Sequence, residues 1–128
     1  MTSKVVWLGF GAFLAVAVVV VLVVSNSEYQ LGRRHADEIV AAGDKMMALA
    51  RDAGEPITIH APLTDGRVPA GLRMLQPATI QCSASEVYIY TGGHAGKGFF
   101  IYKTPRDEPP VPSDCWQINS RLWWYAGA

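Results

Sequence analysis

The residues with the most chemistry to offer are Cys82 and Cys115, the histidines His35, His60 and His94, and the glycine-rich run Gly92 to Gly98 (GGHAGKG), which holds Lys97. Glycines let backbone N–H groups approach a phosphate, and a lysine adds charge. The spacing does not fit that use. A Walker loop places four residues between its first glycine and the Gly-Lys pair, then Ser or Thr and a helix. Here Gly92 is one residue short, Gly98 follows the lysine, and a strand-like segment comes next. The run therefore reads as a hairpin loop. A small-ligand or enzymatic site built on it with His94 stands as an alternative. No two histidines share the local spacing that structural zinc shows, so neither a metal nor a cofactor is expected. A Cys with His94 as nucleophile and base lacks any surrounding motif, and no catalytic residue is assigned.

Cys82 and Cys115 are the only two cysteines. Each stands at the edge of a predicted strand, and a bridge between them would staple a small sheet and point to an oxidising compartment. It would close a loop of ~33 residues and contribute on the order of 3 to 4 kcal/mol. The alternative is a pair of buried thiols that never bridge.

Near the C-terminus, Trp123, Trp124 and Tyr125 pose a packing problem, since alternation along a strand can send only one of two adjacent tryptophans to a given face. The other needs a second neighbour: the helix, the lipid headgroups or a partner's pocket. These three residues, with Met46 and Met47 on a small, flat helix stripe, are the expected interface residues if the chain meets a protein partner or oligomerises. The segment Thr104 to Asp114 (TPRDEPPVPSD) has the spacing of a polyproline ligand but reads as a stiff connection that shields a sheet edge.

The elements that must position these residues begin with Val5 to Val24 (VVWLGFGAFLAVAVVVVLVV). Its length as a helix, ~30 Å, matches the hydrocarbon core of a bilayer. Val5, Trp7, Leu8, Phe10, Phe13, Leu14 and Val24 would face lipid in a single-pass anchor. Ser25 and Ser27 have the spacing of a signal-peptidase site, but the apolar run is longer than a signal h-region, which favours a retained anchor. Lys4 and the terminal amine oppose Arg33 and Arg34 across the span, so flanking charge barely orients it. The disulfide argument places the C-terminal part on the periplasmic or extracellular side of the plasma membrane.

Ser25 and Glu28 have capping-box spacing. From there an amphipathic helix runs to Ala53, with Ala36, Ile39, Val40, Gly43, Met46, Met47 and Ala50 forming its apolar stripe and Gly54 and Pro56 ending it. Strands are expected at residues 57 to 60, 79 to 82, 86 to 91, 99 to 103 and 115 to 125, with Trp116, Ile118, Leu122 and Trp124 of the last facing the core. The fold class is α+β: a tail (residues 1–4), a transmembrane helix (5–24), an amphipathic helix (25–54), and a small antiparallel meander (55–128) covered by that helix and closed by a disulfide.

The chain has 128 residues and formal net charge zero, with basic residues scattered, so it has room for one small domain and no surface for nucleic acid. Anchor, amphipathic extension, meander and late cysteine pair together resemble a type IV pilin or pseudopilin, and Gly9-Phe10 after Lys4 is similar to that family's leader-cleavage junction. That family's Glu at the fifth position after cleavage is Leu14 here. The leading expectation is a non-catalytic, membrane-anchored interaction or accessory subunit whose domain meets a protein partner in the envelope. A pilin-like subunit is the second reading.

Overall fold

The computed structural model describes residues 27–92, 96–110 and 114–127. The chain divides into two units, Met1–Gln30 and Leu31–Ala128. The anchor residues Val5 to Val24, the Gly9-Phe10 junction and His94 lie outside the described residues. Among the described residues no helix is long and apolar enough to cross a membrane. In the first unit, residues 27–30 are helical.

The second unit opens with helical residues 31–34, which lead through a turn at His35 into α1 (Ala36–Ala53). The expected single helix is thus broken at His35, whose ψ of 25° departs from helical values, although the bonds His35 N–H to Leu31 O and Ile39 N–H to His35 O carry the ladder across. Asp37 and Glu38 occupy the first turn of α1 and Arg51 the last, which suits the helix dipole. Gly54 ends α1 with φ 74° and donates its N–H to Ala50 O and Arg51 O, a left-handed cap that a glycine adopts without strain.

Six strands form one sheet: β1 (Ile57–Ile59), β2 (Thr79–Cys82), β3 (Glu86–Gly92), β4 (Lys97–Tyr102), β5 (Cys115–Gln117) and β6 (Leu122–Ala126), in the order β1-β2-β3-β4-β6-β5, with every pairing antiparallel. A short α2 (Ala70–Arg73) lies in the long connection from β1 to β2. The architecture is α+β.

Register and alternation sort the side chains into two faces. Ile59, Ile80, Val87, Ile89, Phe99, Ile101 and Leu122 share the inner face and are buried, as is Trp124. α1 covers this face with Ile39, Ala42, Gly43, Met46, Met47 and Ala50. The stripe must be small because the approach is close: a Cβ on Gly43 would fall 2.7 Å from Ile101 Cδ1.

Two expectations are corrected. The stretch 115 to 125 is not one strand. It reverses at residues 118–121, where the Asn119 carboxamide oxygen accepts from the Arg121 and Leu122 N–H groups and the Ile118 N–H reaches Leu122 O. Trp116 is therefore paired back against Trp124, with ring centroids 5.2 Å apart, and stands 46% exposed on edge strand β5 instead of joining the core.

The disulfide is the second correction. Cys82 and Cys115 are both thiols, with no bond between them. They sit on β2 and β5, four strand-to-strand steps apart, or roughly 19 Å, whereas a bridge needs Cα atoms within about 7 Å. Cys82 is buried, directs its thiol to Ile57 O at 3.6 Å, and is pushed above the ordinary thiol pKa by burial.

Candidate functional site: a groove on the outer face of the sheet

The outer face of the sheet is the one α1 does not cover. It carries Thr58, Thr79, Gln81, Tyr88, Tyr90, Phe100, Tyr102, Trp123 and Tyr125. The aromatic members gather on β3, β4 and β6, and they pack on each other. Tyr88 stacks on Phe100 at 4.7 Å, Phe100 lies parallel to Tyr102 at 6.3 Å, and Tyr125 meets Phe100 edge-on at 6.2 Å. Cross-strand spacing is ~4.8 Å, so rings 4.7 Å apart stand upright with their faces turned to each other. The ladder thus supplies its own cover, and burial lifts the phenol pKa values of Tyr88 and Tyr102 above the ordinary one.

At the far end, the segment after β4 closes over the face. The Arg106 guanidinium lies 4.9 Å above the Tyr102 ring, the Arg106 N–H donates to Ser120 O, and the Gln117 side-chain amide donates to Arg106 O. Arg106, the cation of the polyproline-like spacing, is occupied within its own domain.

On β1 and β2 the outer face drops to short polar side chains, and the step between the two levels is a groove. Register places Thr58 beside Gln81, Gln81 beside Tyr88, and Thr79 beside Tyr90. One recess of about 260 Å³ is lined by residues from Pro56 to Thr58, from Gln81 to Ser83, and by Glu86 and Tyr88. A second, of about 150 Å³, is lined by Thr79, Gln81, Tyr88 and Tyr90. Gln81 and Tyr88 belong to both, so the two recesses lie side by side along β2, with this cross-strand pair as their shared border, and are together called the β2 groove. Tyr88, stacked on Phe100 on the β4 side and flanked by Gln81 on the β2 side, lines both recesses. The lining mixes hydroxyl and amide side chains with Pro56, Ile57 and Cys82, and its one charged residue is Glu86 at one end.

The residues singled out from sequence fall elsewhere. Met46 and Met47 are 0% and 4% exposed under the sheet, and Trp123 and Trp124 are each 5% exposed on opposite faces. The domain itself covers all four, so they have no surface to offer a partner. Tyr125 is half-buried in the ladder. Trp123 carries an anomaly: its indole N–H is buried with no acceptor. His35 pairs with Glu38 at 3.3 Å ahead of α1, and His60 is exposed after β1, so the two stand on separate elements. Among the described residues no cluster of His, Cys, Asp or Glu is placed to hold a metal ion.

A second cleft, lined by Asp37, Val40, Ala41, Asp44, Asn119, Ser120 and Arg121, lies between α1 and the β5–β6 turn. Arg121 spans it, giving its Nη atoms to the Asp44 carboxylate and its Nε to Tyr102 O. Its polar groups are engaged in holding helix to sheet. Sequence reasoning missed the β2 groove although its signal was present: alternation in EVYIYT puts Tyr88 and Tyr90 on one face, and alternation in TIQC puts Thr79 and Gln81 on one face. Comparison with protein-family models, with curated proteins and with solved structures finds no match.

Proposed function

We propose that the chain is a non-catalytic, membrane-tethered binding subunit and that the groove along β2 is its recognition surface. The observation that carries this reading is a pair of adjoining recesses in which the aromatic Tyr88 stands beside the polar side chains of Gln81, Thr58 and Thr79. The ladder and the segment after β4 pack against Phe100, Tyr102 and Tyr125, and α1 covers the inner face, whereas Tyr88 and Tyr90 line the recesses. Tyr88 and Gln81 line both recesses.

The tether is the apolar run Val5 to Val24, long enough for a bilayer. Two unbridged thiols argue for no particular compartment, so the side of the membrane rests on Lys4 and the terminal amine against Arg33 and Arg34. A membrane-impermeant maleimide applied to intact cells reads that side through Cys115.

The recognition surface is tested by co-purification from phospholipid nanodiscs. Gln81→Lys places a charge on the groove floor, where it must be desolvated against any occupant, and is expected to reduce recovery of the bound partner at least about tenfold. Asp52→Lys, on the exposed end of α1, is expected to leave recovery unchanged. Equal recovery with both variants would rule out the groove as the recognition surface.

A further inference from the structure

Building on the binding-subunit reading above, we infer that the β2 groove takes a neutral, hydroxyl-rich ring compound, a segment of glycan chain, rather than a peptide or an anion. Three features of the groove select among ligand classes.

The first is backbone availability. β2 is an interior strand, paired to β1 through Ile80, Gln81 and Cys82 on one side and to β3 along its whole length on the other. An extended peptide gains its affinity by adding to a sheet edge, where unpaired backbone groups meet its own. Laid over β2 it would find no backbone partner and would leave its amides unpaired, at a cost of about 1 to 3 kcal/mol for each one buried. Over β2 itself, recognition runs through side chains.

The second is charge. Among the described residues the lining contains no Lys or Arg, and its one ionised group is the Glu86 carboxylate. A phosphate or carboxylate ligand would meet repulsion and no compensating cation.

The third is the pairing of chemistries. The Tyr88 ring face is electron-rich and attracts weakly positive C–H groups, such as those on the flat side of a sugar ring. Across the step, Gln81 offers both a donor and an acceptor, Thr58 and Thr79 offer hydroxyls that do either, and Glu86 accepts. A hydroxyl group both donates and accepts, so a set of mixed polarity satisfies it on both counts. A ring with C–H groups on one side and hydroxyls around its rim matches wall and floor together. The two recesses adjoin at Gln81 and Tyr88, so neighbouring rings of one glycan segment would each meet this pair.

The test is a titration of isotope-labelled full-length protein in phospholipid nanodiscs, free of sugar-headed detergent, with chitotetraose, a neutral tetramer of N-acetylglucosamine. Amide shifts are expected to saturate and to centre on Thr58, Thr79, Gln81, Glu86 and Tyr88. Gln81→Ala, at an exposed position that leaves the fold intact, is expected to weaken binding about fivefold, the worth of one hydrogen bond of ~1 kcal/mol. Tyr88→Leu removes the ring and is expected to abolish saturation. Should that variant lose its dispersed spectrum, Gln81→Ala still decides the matter. Absence of saturation by about 10 mM, where binding free energy is too small for recognition, would overturn the inference. Saturation by a tetra-alanine peptide in the sugar's place would overturn it too. If co-purification still depends on Gln81 while the sugar fails, the groove remains a binding site and only the ligand class falls.

Discussion

Trp123 and Trp124 are adjacent, equally buried and unequal in what they contribute. Trp124 lies on the inner face, with Phe99 as its cross-strand neighbour on β4 and the Trp116 ring 5.2 Å away. Trp124→Ala is expected to cost about 3 to 5 kcal/mol, the range for removing a large buried aromatic. Trp123 sits on the outer face with an N–H that finds no acceptor, a desolvation cost of about 1 to 3 kcal/mol already present in the native state. Trp123→Phe removes that donor along with some packing area, and the two effects oppose each other. Its stability is expected to stay within about 1 kcal/mol of wild type. Urea denaturation of the two variants checks both values, and a loss of several kcal/mol in Trp123→Phe would mean the N–H has a partner in solution.

Among the elements, close approach decides what each segment tolerates. Gly98 on β4 stands where an added Cβ would lie 1.8 Å from Ile89 O, a backbone atom of the neighbouring strand that cannot swing away. Gly98→Ala is expected to cost more than about 3 kcal/mol by forcing β3 and β4 apart, whereas Gly66→Ala, with nothing within 4 Å, should stay within about 0.5 kcal/mol. Thermal unfolding of both variants checks the contrast. Most elements were legible in the sequence because period and punctuation agreed. The α1 stripe ended at Gly54, and β2, β3 and β4 were β-branched and aromatic runs bounded by turn residues. The β5–β6 reversal was not legible from hydrophobicity, because Trp116, Ile118, Leu122 and Trp124 keep strict alternation straight through the turn. Asn119-Ser120 was the contrary signal, since an Asn side chain that bonds the backbone two and three residues on makes a turn of its own. The groove stayed hidden for a related reason: tyrosines that alternate with Val and Ile look like the solvated side of a strand until the register shows what stands beside them.

For the molecule as a whole, strand order carries the consequences that residue spacing could not foresee. Cys82 and Cys115 look like a staple in the sequence because each flanks a strand. The order β1-β2-β3-β4-β6-β5 puts β3, β4 and β6 between β2 and β5, and so separates the two cysteines beyond the reach of a bond. Denatured in the absence of reductant, the protein is expected to titrate two thiols per chain, and a count of zero would contradict the fold as described. In the native state Cys82 should react far more slowly than Cys115, because it is buried and its thiol is held protonated. The same strand order leaves the sheet with one face under α1 and one face packed largely by its own aromatic ladder, with recesses at the step beside β2. A photo-crosslinking amino acid placed at position 81 in membranes probes that recess directly, with position 52 on α1 as its control. Adducts are expected at position 81 and not at position 52, while adducts at both positions alike, or at neither, would contradict recognition through the groove.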